Sequence, residues 1–282
     1  MTIIIVSYNS AAVIIDCLSG LIEALPHQIR VVDNASRPGD VELLEKRFPQ
    51  LEIMRLDHNL GYGRAANVAL NAVQSRYALL INPDILVDAP RLAELLQQAA
   101  SYPEAAIFGP ATSRKHRQIV ESAEEKEAIS GSCMLFDMEK LRPLGGFDEN
   151  IFLFSEEVDL CWRAREAGHK VLLLPRIYVE HLAGRSSGSS DAVEYMKNWH
   201  FGWSRSYFYR KHSRDRGKHA LRRRFWLYSW KALIARRHYD KVKFRAIRDG
   251  IRAFQAGEAA FLADGRTPQA SPDSPENPYA GS

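Results

Sequence analysis

No apolar run in the 282 residues reaches the length of about 18 that a membrane-spanning helix requires, so no spanning helix is expected. Cysteine is scarce. Cys17, Cys133 and Cys161 are odd in number and far apart, which excludes a disulfide framework and a C-x-x-C metal site and points to a reducing cytoplasm. The first residues, Met1-Thr2-Ile3-Ile4-Ile5-Val6, lack a basic leader and a small-residue cleavage site and read as a strand rather than a signal peptide. Glycine is missing from the first strand–helix turn, Ser7-Tyr8-Asn9-Ser10, where a dinucleotide-binding fingerprint would need it. No internal repeat is visible.

What is present is an uneven charge. Residues 196–252 hold 18 Lys and Arg against 3 Asp and Glu, whereas residues 1–195 hold 19 against 27. The overall charge of +4 therefore conceals an acidic body and a basic block, and the block needs its own explanation.

Short β-rich runs alternate with helical spacing through the first half. Ile3–Tyr8, Ile29–Asp33, Leu51–Leu56, Tyr77–Ile81 and Ala105–Gly109 read as strands; Val13–Leu25, Val41–Phe48, Gly63–Val73 and Pro90–Ala100 read as helices. This order predicts an α/β fold, a mostly parallel sheet flanked by helices, with ligands at the carboxyl ends of the strands. Polar residues collect at those ends: Ser7-Tyr8-Asn9, Asp33-Asn34 and Asn82-Pro83-Asp84. Further on, Ser130–Phe136 and Lys170–Leu174 read as strands, Leu144–Asp148 as a turn, and Val158–Ala167 as a helix stopped by Gly168.

Asp84 at a strand end suits a hard cation, which takes one or two carboxylates plus phosphate oxygens, although Asn-Pro-Asp is also an ordinary turn. Glu156 and Glu157 open a helix. They suit either a capping role against the helix dipole or a general base that takes a proton from an attacking hydroxyl. His181 gains a metal-binding role only if the fold returns it to Asp84. Gly61-Tyr62-Gly63-Arg64-Ala65-Ala66 fits G-x-G-x-x-A, with Asp84 further along the chain, and so imitates an NAD(P) fingerprint. Four residues separate it from its strand, and it does not occupy the first strand–helix turn.

Taken in order, six segments resemble the family 2 glycosyltransferases, most closely their bacterial rhamnosyltransferase-like branch. They are Ile5–Ser10, Val31–Ser36, Asn59–Asn67, Leu80–Asp84, Gly145–Glu149 and Glu156–Arg163, and the resemblance covers roughly residues 3–188. It implies a GT-A fold and an inverting enzyme with a nucleotide-diphospho-sugar donor (dTDP- or UDP-linked, best dTDP-L-rhamnose). The implied acceptor is a glycan or lipid-linked saccharide of cell-surface polysaccharide synthesis, and the implied cofactor a divalent metal, Mg²⁺ or Mn²⁺. On the same basis Ser7, Tyr8, Asn9 and Asp33 line the nucleotide pocket, while Asn59, Gly61, Asn67 and Asn82 lie by the donor. Asp84 and His181 hold metal, and Glu157, with Glu156 beside it, is the base. Two departures from the family pattern stand out: Asn82 replaces the first acid of D-x-D, and Glu157 is one methylene longer than the usual Asp. The alternatives are a non-catalytic nucleotide-sugar or carbohydrate-binding module on the same fold and, from the glycine loop, an NAD(P)-dependent dehydrogenase.

The expected organisation is a catalytic domain over 1–190, split into a nucleotide-sugar part (1–110) and an acceptor part (111–190). A basic, aromatic helical extension (191–262) and a disordered tail (263–282) follow. Arg222-Arg223-Arg224-Phe225-Trp226-Leu227-Tyr228-Ser229-Trp230 is the densest stretch and suits the headgroups of an anionic membrane, which places the protein peripherally on the inner face of the plasma membrane. Nucleic acid is not an expected partner, because it would leave the acidic strand ends unexplained.

Overall fold

Apolar runs become the strands of one sheet, and those covered on both faces have no polar side to alternate with. In the computed structural model, which describes residues 1–112, 122–182, 190–212 and 217–261, these are β1 (Thr2–Ser7), β2 (Ile29–Asp33), β3 (Glu52–Arg55) and β4 (Tyr77–Ile81). With β6 (Ala105–Ala111), β7 (Glu124–Glu125), β8 (Cys133–Asp137) and β9 (Lys170–Tyr178) they form an eight-stranded sheet in the order β3-β2-β1-β4-β8-β6-β9-β7.

Strands β3, β2, β1 and β4 run parallel, as does β6 with β9. Strand β8 enters antiparallel between β4 and β6, and β7 is antiparallel to β9, so the sheet is mixed beyond its parallel half. Two further two-residue strands, β5 (Ile85–Leu86) and β10 (Glu180–His181), pair antiparallel as a separate ribbon.

Alternate residues of β1 serve two cores. Ile3 and Ile5 pack with α1 (Ala11–Ala24), α2 (Asp40–Arg47) and α4 (Ala89–Ala100) through Ile14, Leu18, Leu44 and Leu92. Ile4 and Val6 face α3 (Tyr62–Asn71), α5 (Met138–Leu144) and α6 (Glu156–Glu166) through Ala65, Ala66, Leu141 and Leu160. Cys133 and Cys161 lie in these cores, where burial pushes both thiols up to about 12. No disulfide forms among the described residues.

The chain divides by contact into two units. The first is Met1–Asp148 with Glu157–Ser187, and the second is Glu149–Glu156 with Gly188–Ser282. Helices α7 (Asp191–His212), α8 (Gly217–Ile234) and α9 (His238–Ala256) make up most of the second unit. Helices α7 and α9 cross where glycines allow backbones to touch. A Cβ on Gly202 would collide with the Ile247 carbonyl oxygen, and one on Gly250 with that of Trp199. The aromatic residues of this region divide between two fates: Trp199 and Trp203 are buried in its core, while Trp226 and Trp230 stay exposed. No helix among the described residues is long and apolar enough to cross a membrane. The Gly184–Gly188 segment and the tail from residue 263 lie outside the described residues.

Candidate active site

Parallel register brings the first two strand ends level, with Ser7 opposite Asp33. The turns beyond them are tied together. The Asn34 amide donates to the Ser7 carbonyl (2.8 Å), the Asn9 amide donates to Ser36 Oγ (2.8 Å), and the Arg37 amide donates to Asn9 Oδ1 (2.8 Å). Asn9 and Ala35 hold left-handed backbone angles (φ 53° and 62°), which are uncommon away from glycine and mark a turn fixed by its surroundings. Asp33 is buried. Desolvation pushes its carboxyl above the ordinary value, opposed by hydrogen bonds from Ser36. Burial likewise pushes the Tyr8 phenol up, opposed by the side chains of Asn59 and Asn9.

Asn34 hooks these turns to the glycine loop. Its Nδ2 donates to Asn59 Oδ1 (3.0 Å) and to the Gly61 carbonyl (3.3 Å), while its Oδ1 accepts from the Leu60 amide (2.8 Å). Asn59 Oδ1 also accepts from the Gly61 amide at 2.8 Å. Gly61 sits at φ 81°, ψ 170°, a region open essentially only to glycine. The first glycine of the apparent fingerprint is thus demanded by the entry into α3, and the loop follows β3 at the sheet edge rather than the first strand.

The third cluster depends on the small ribbon. Strand β5 begins one residue after Asp84, and its pairing sets His181 opposite Ile85. This brings His181 Nε2 to 3.2 Å from Asp84 Oδ1, with the Leu182 amide donating to the Asp84 carbonyl (3.0 Å). The fold thus returns His181 to Asp84. Asp84 is fully buried and His181 partly so. Among the described residues no group of three or more His, Cys, Asp or Glu side chains gathers to hold a metal. One carboxylate and one imidazole fit a divalent cation whose remaining ligands are diphosphate oxygens and water.

Tyr62 links that loop to the helix carrying the acids. Its hydroxyl lies 2.9 Å from Asn82 Oδ1 and 3.2 Å from the Gly131 carbonyl, and the Asn82 amide donates to the Ser132 carbonyl at 2.9 Å. Glu157 lies along Gly131, where an added Cβ would meet the Glu157 Cβ at 3.4 Å and Cγ at 3.5 Å. Asp84, Asn82, Tyr62, Gly131 and Glu157 therefore form one connected arrangement at the strand ends.

The profile described as glycosyl transferase family 2 matches residues 2–143, half of the chain, a range that includes Ser7, Asp33, Asn59 and Asp84 and ends before Glu157 and His181. The chain belongs to glycosyl transferase family 2. Among relatives of known activity, it is 23% identical over 239 residues to the N-acetylglucosaminyl-diphospho-decaprenol L-rhamnosyltransferase of Mycobacterium tuberculosis. That match covers 64% of this chain and 78% of the relative. It is 24% identical over 174 residues to the amylovoran biosynthesis glycosyltransferase AmsE of Erwinia amylovora, covering 57% and 63% respectively. In fold it is similar to the Pyrobaculum calidifontis mannosyltransferase PcManGT solved with GDP-Man and Mn²⁺. The TM-score is 0.59 at 16% identity, covering 90% of this chain and 86% of that one. The fold is GT-A and the protein is a glycosyltransferase. The dehydrogenase reading of the glycine loop closes here.

Within this family 2 enzyme, one acid of α6 is taken up internally. Asp159 is buried and paired with Arg163 (2.7 Å), which also donates to the Leu144 and Gly146 carbonyls, so that acid fixes the turn before α6. Glu156, the first residue of the helix, is buried. Successive helix positions point about 100° apart, and Glu157 is the one against Gly131. Asn67 is also taken up internally: its carboxamide donates to the Phe147 carbonyl (2.9 Å) and accepts from the Phe147 amide (2.8 Å), which pins the Gly145-Gly146 turn. Asn34, Tyr62, Gly131 and Ser132 escaped the sequence reading. Asn34 and Tyr62 lay inside segments already singled out, but nothing local distinguishes a linking side chain from its neighbours.

Proposed function

We propose that this glycosyltransferase moves a sugar from a nucleotide diphosphate to a glycan acceptor by a single inverting displacement. The observation that carries the reading is the 3.2 Å approach of His181 to buried Asp84 at a strand end, with the acidic helix tied to the same loop through Tyr62. Ser7, Tyr8, Asn9 and Asp33 hold the base and ribose, and the loop bearing Asn59 and Gly61 shapes the donor side. A divalent cation, Mg²⁺ or Mn²⁺, supplies charge neutralisation at the departing diphosphate, and Asp84 and His181 are the residues to hold it. Glu157 takes the proton of the acceptor hydroxyl as its oxygen bonds to the anomeric carbon and the carbon–diphosphate bond breaks.

The donor we favour is dTDP-L-rhamnose and the acceptor a lipid-linked saccharide of cell-surface polysaccharide synthesis, on the strength of the rhamnosyltransferase and amylovoran relatives. Residues 1–190 act as the catalytic domain and 191–262 as an extension. The test is incubation of labelled dTDP-L-rhamnose with a polyprenyl-diphospho-N-acetylglucosamine and Mn²⁺. Label is expected in the lipid fraction through an α-linkage from the β-linked donor; a β-linked product would reject a single displacement.

The extension also presents a face for a membrane on the cytoplasmic side. Trp226 (68% exposed), Trp230 (58%) and Leu233 (81%) recur at i, i+4 and i+7 on α8, with Leu227 and Ile234 beside them and exposed Arg222 and Arg223 one turn earlier. An apolar patch of this kind, rimmed by basic residues, suits the interface of an anionic bilayer. Flotation with phosphatidylglycerol vesicles should be strong and weakened by salt, and the pair Trp230→Glu and Leu233→Glu should abolish it. Flotation unchanged in that variant would remove α8 as the contact.

A further inference from the structure

The helical unit contains a cleft of about 490 Å³ between α7, α8 and α9, with Phe154 closing one side. That volume lies within the range of small-ligand sites. Three lysines face it: Lys197, Lys231 and Lys243. Lys197 is offset by Glu194 at 3.7 Å, and the same carboxylate accepts from the Tyr239 hydroxyl at 3.1 Å. Lys231 and Lys243 are half-buried, and among the described residues neither has a carboxylate within ion-pair distance. Lys231 Nζ sits 5.4 Å from the Tyr228 ring and 5.5 Å from the Phe244 ring, so its ammonium is aimed between aromatic faces. Two half-buried cations without counter-ions on a concave wall favour an anion, and the rings around them favour the apolar face of a sugar.

The segment that closes the cleft is itself constrained. Phe154 and Ser155 hold consecutive left-handed angles (φ 65° and 69°), a sparsely populated state for residues other than glycine. Phe154 meets Phe201 edge-on at 6.1 Å and lies three residues before Glu157 in the chain. On α8, Tyr228 and Lys231 face the cleft while Trp226, Trp230 and Leu233 face outward. A molecule with an anionic saccharide head and a long apolar tail matches the two sides of one helix.

We infer that this cleft binds the saccharide-diphosphate head of a lipid-linked acceptor, with Lys231 and Lys243 on the diphosphate and Phe201 and Phe244 against the sugar. The inference rests on the transferase reading above and adds the acceptor's place on the chain.

The test is titration calorimetry of the full chain with farnesyl-diphospho-N-acetylglucosamine, inorganic pyrophosphate and N-acetylglucosamine. The farnesyl compound should bind tightest. Lys231→Ala with Lys243→Ala should weaken it at least about tenfold, and the Arg pair should restore it. Unchanged affinity in the Ala pair overturns the inference, and so does pyrophosphate binding as tightly as the farnesyl compound, which would make the cleft a site for free phosphate. Nucleotide-sugar binding is followed on the same samples. Donor binding without a lysine effect overturns the cleft alone, whereas no donor binding by the unaltered protein overturns the transferase reading.

Discussion

Replacing Asp84 by Asn should lower sugar transfer by about a thousandfold, which corresponds to about 4 kcal/mol of transition-state stabilisation. The substitution keeps the side chain's shape in a fully buried position but removes the anionic oxygen that stands 3.2 Å from His181 Nε2. With Asn82 in place of the first acid of the motif, no second carboxylate in the loop takes over. Added Mn²⁺ should therefore fail to rescue the variant up to millimolar concentration. His181→Ala should give a smaller loss, because a partly exposed imidazole is replaceable by water. Comparable rates for wild type and Asp84→Asn across a metal titration would remove Asp84 from the reaction.

Glu157→Gln should lower transfer by about a thousandfold and leave nucleotide-sugar affinity within about twofold, the pattern of a lost general base. Glutamine fills the same space along Gly131, so the connected arrangement through Tyr62 persists. Glu156→Gln is the control: Glu157, not Glu156, is the acid against Gly131, so the effect of this substitution on the chemical step should be small. A reversal of these two results would assign the base to Glu156. Rates measured at saturating acceptor separate loss of chemistry from loss of binding.

The parts of this molecule that were legible in the sequence are those governed by local burial. Ile29–Asp33 and Tyr77–Ile81 are strands with the bounds their apolar runs suggest, because both are buried on two faces. The polar residues just past them are legible for the same reason. The ribbon that joins Asp84 to His181 is not: two-residue strands carry no periodicity, and their partners lie almost a hundred residues apart. Glu124–Glu125 pairs at the sheet edge with no apolar signal, and α5 ends in a Pro-Leu-Gly sequence that reads as a turn. Strand β9 runs through Pro175 to Tyr178, past the point where proline suggests a stop. The antiparallel insertion of β8 is a choice of partner, which no local pattern encodes. The basic block shows a different failure. Composition places Trp199, Trp203, Trp226 and Trp230 in one class, and only packing separates the two that build the core from the two that face outward.

The most direct test of the transferase account is the thermal stability of the full chain with a panel of nucleotide sugars, with Mn²⁺ and again with chelator. A ligand at 100 times its Kd that binds only the folded chain adds about 2.7 kcal/mol, a readily measured rise in Tm. The account predicts a rise with one dTDP- or UDP-sugar in Mn²⁺ that chelator abolishes. No response to any nucleotide sugar, or an equal rise with and without metal, would contradict it.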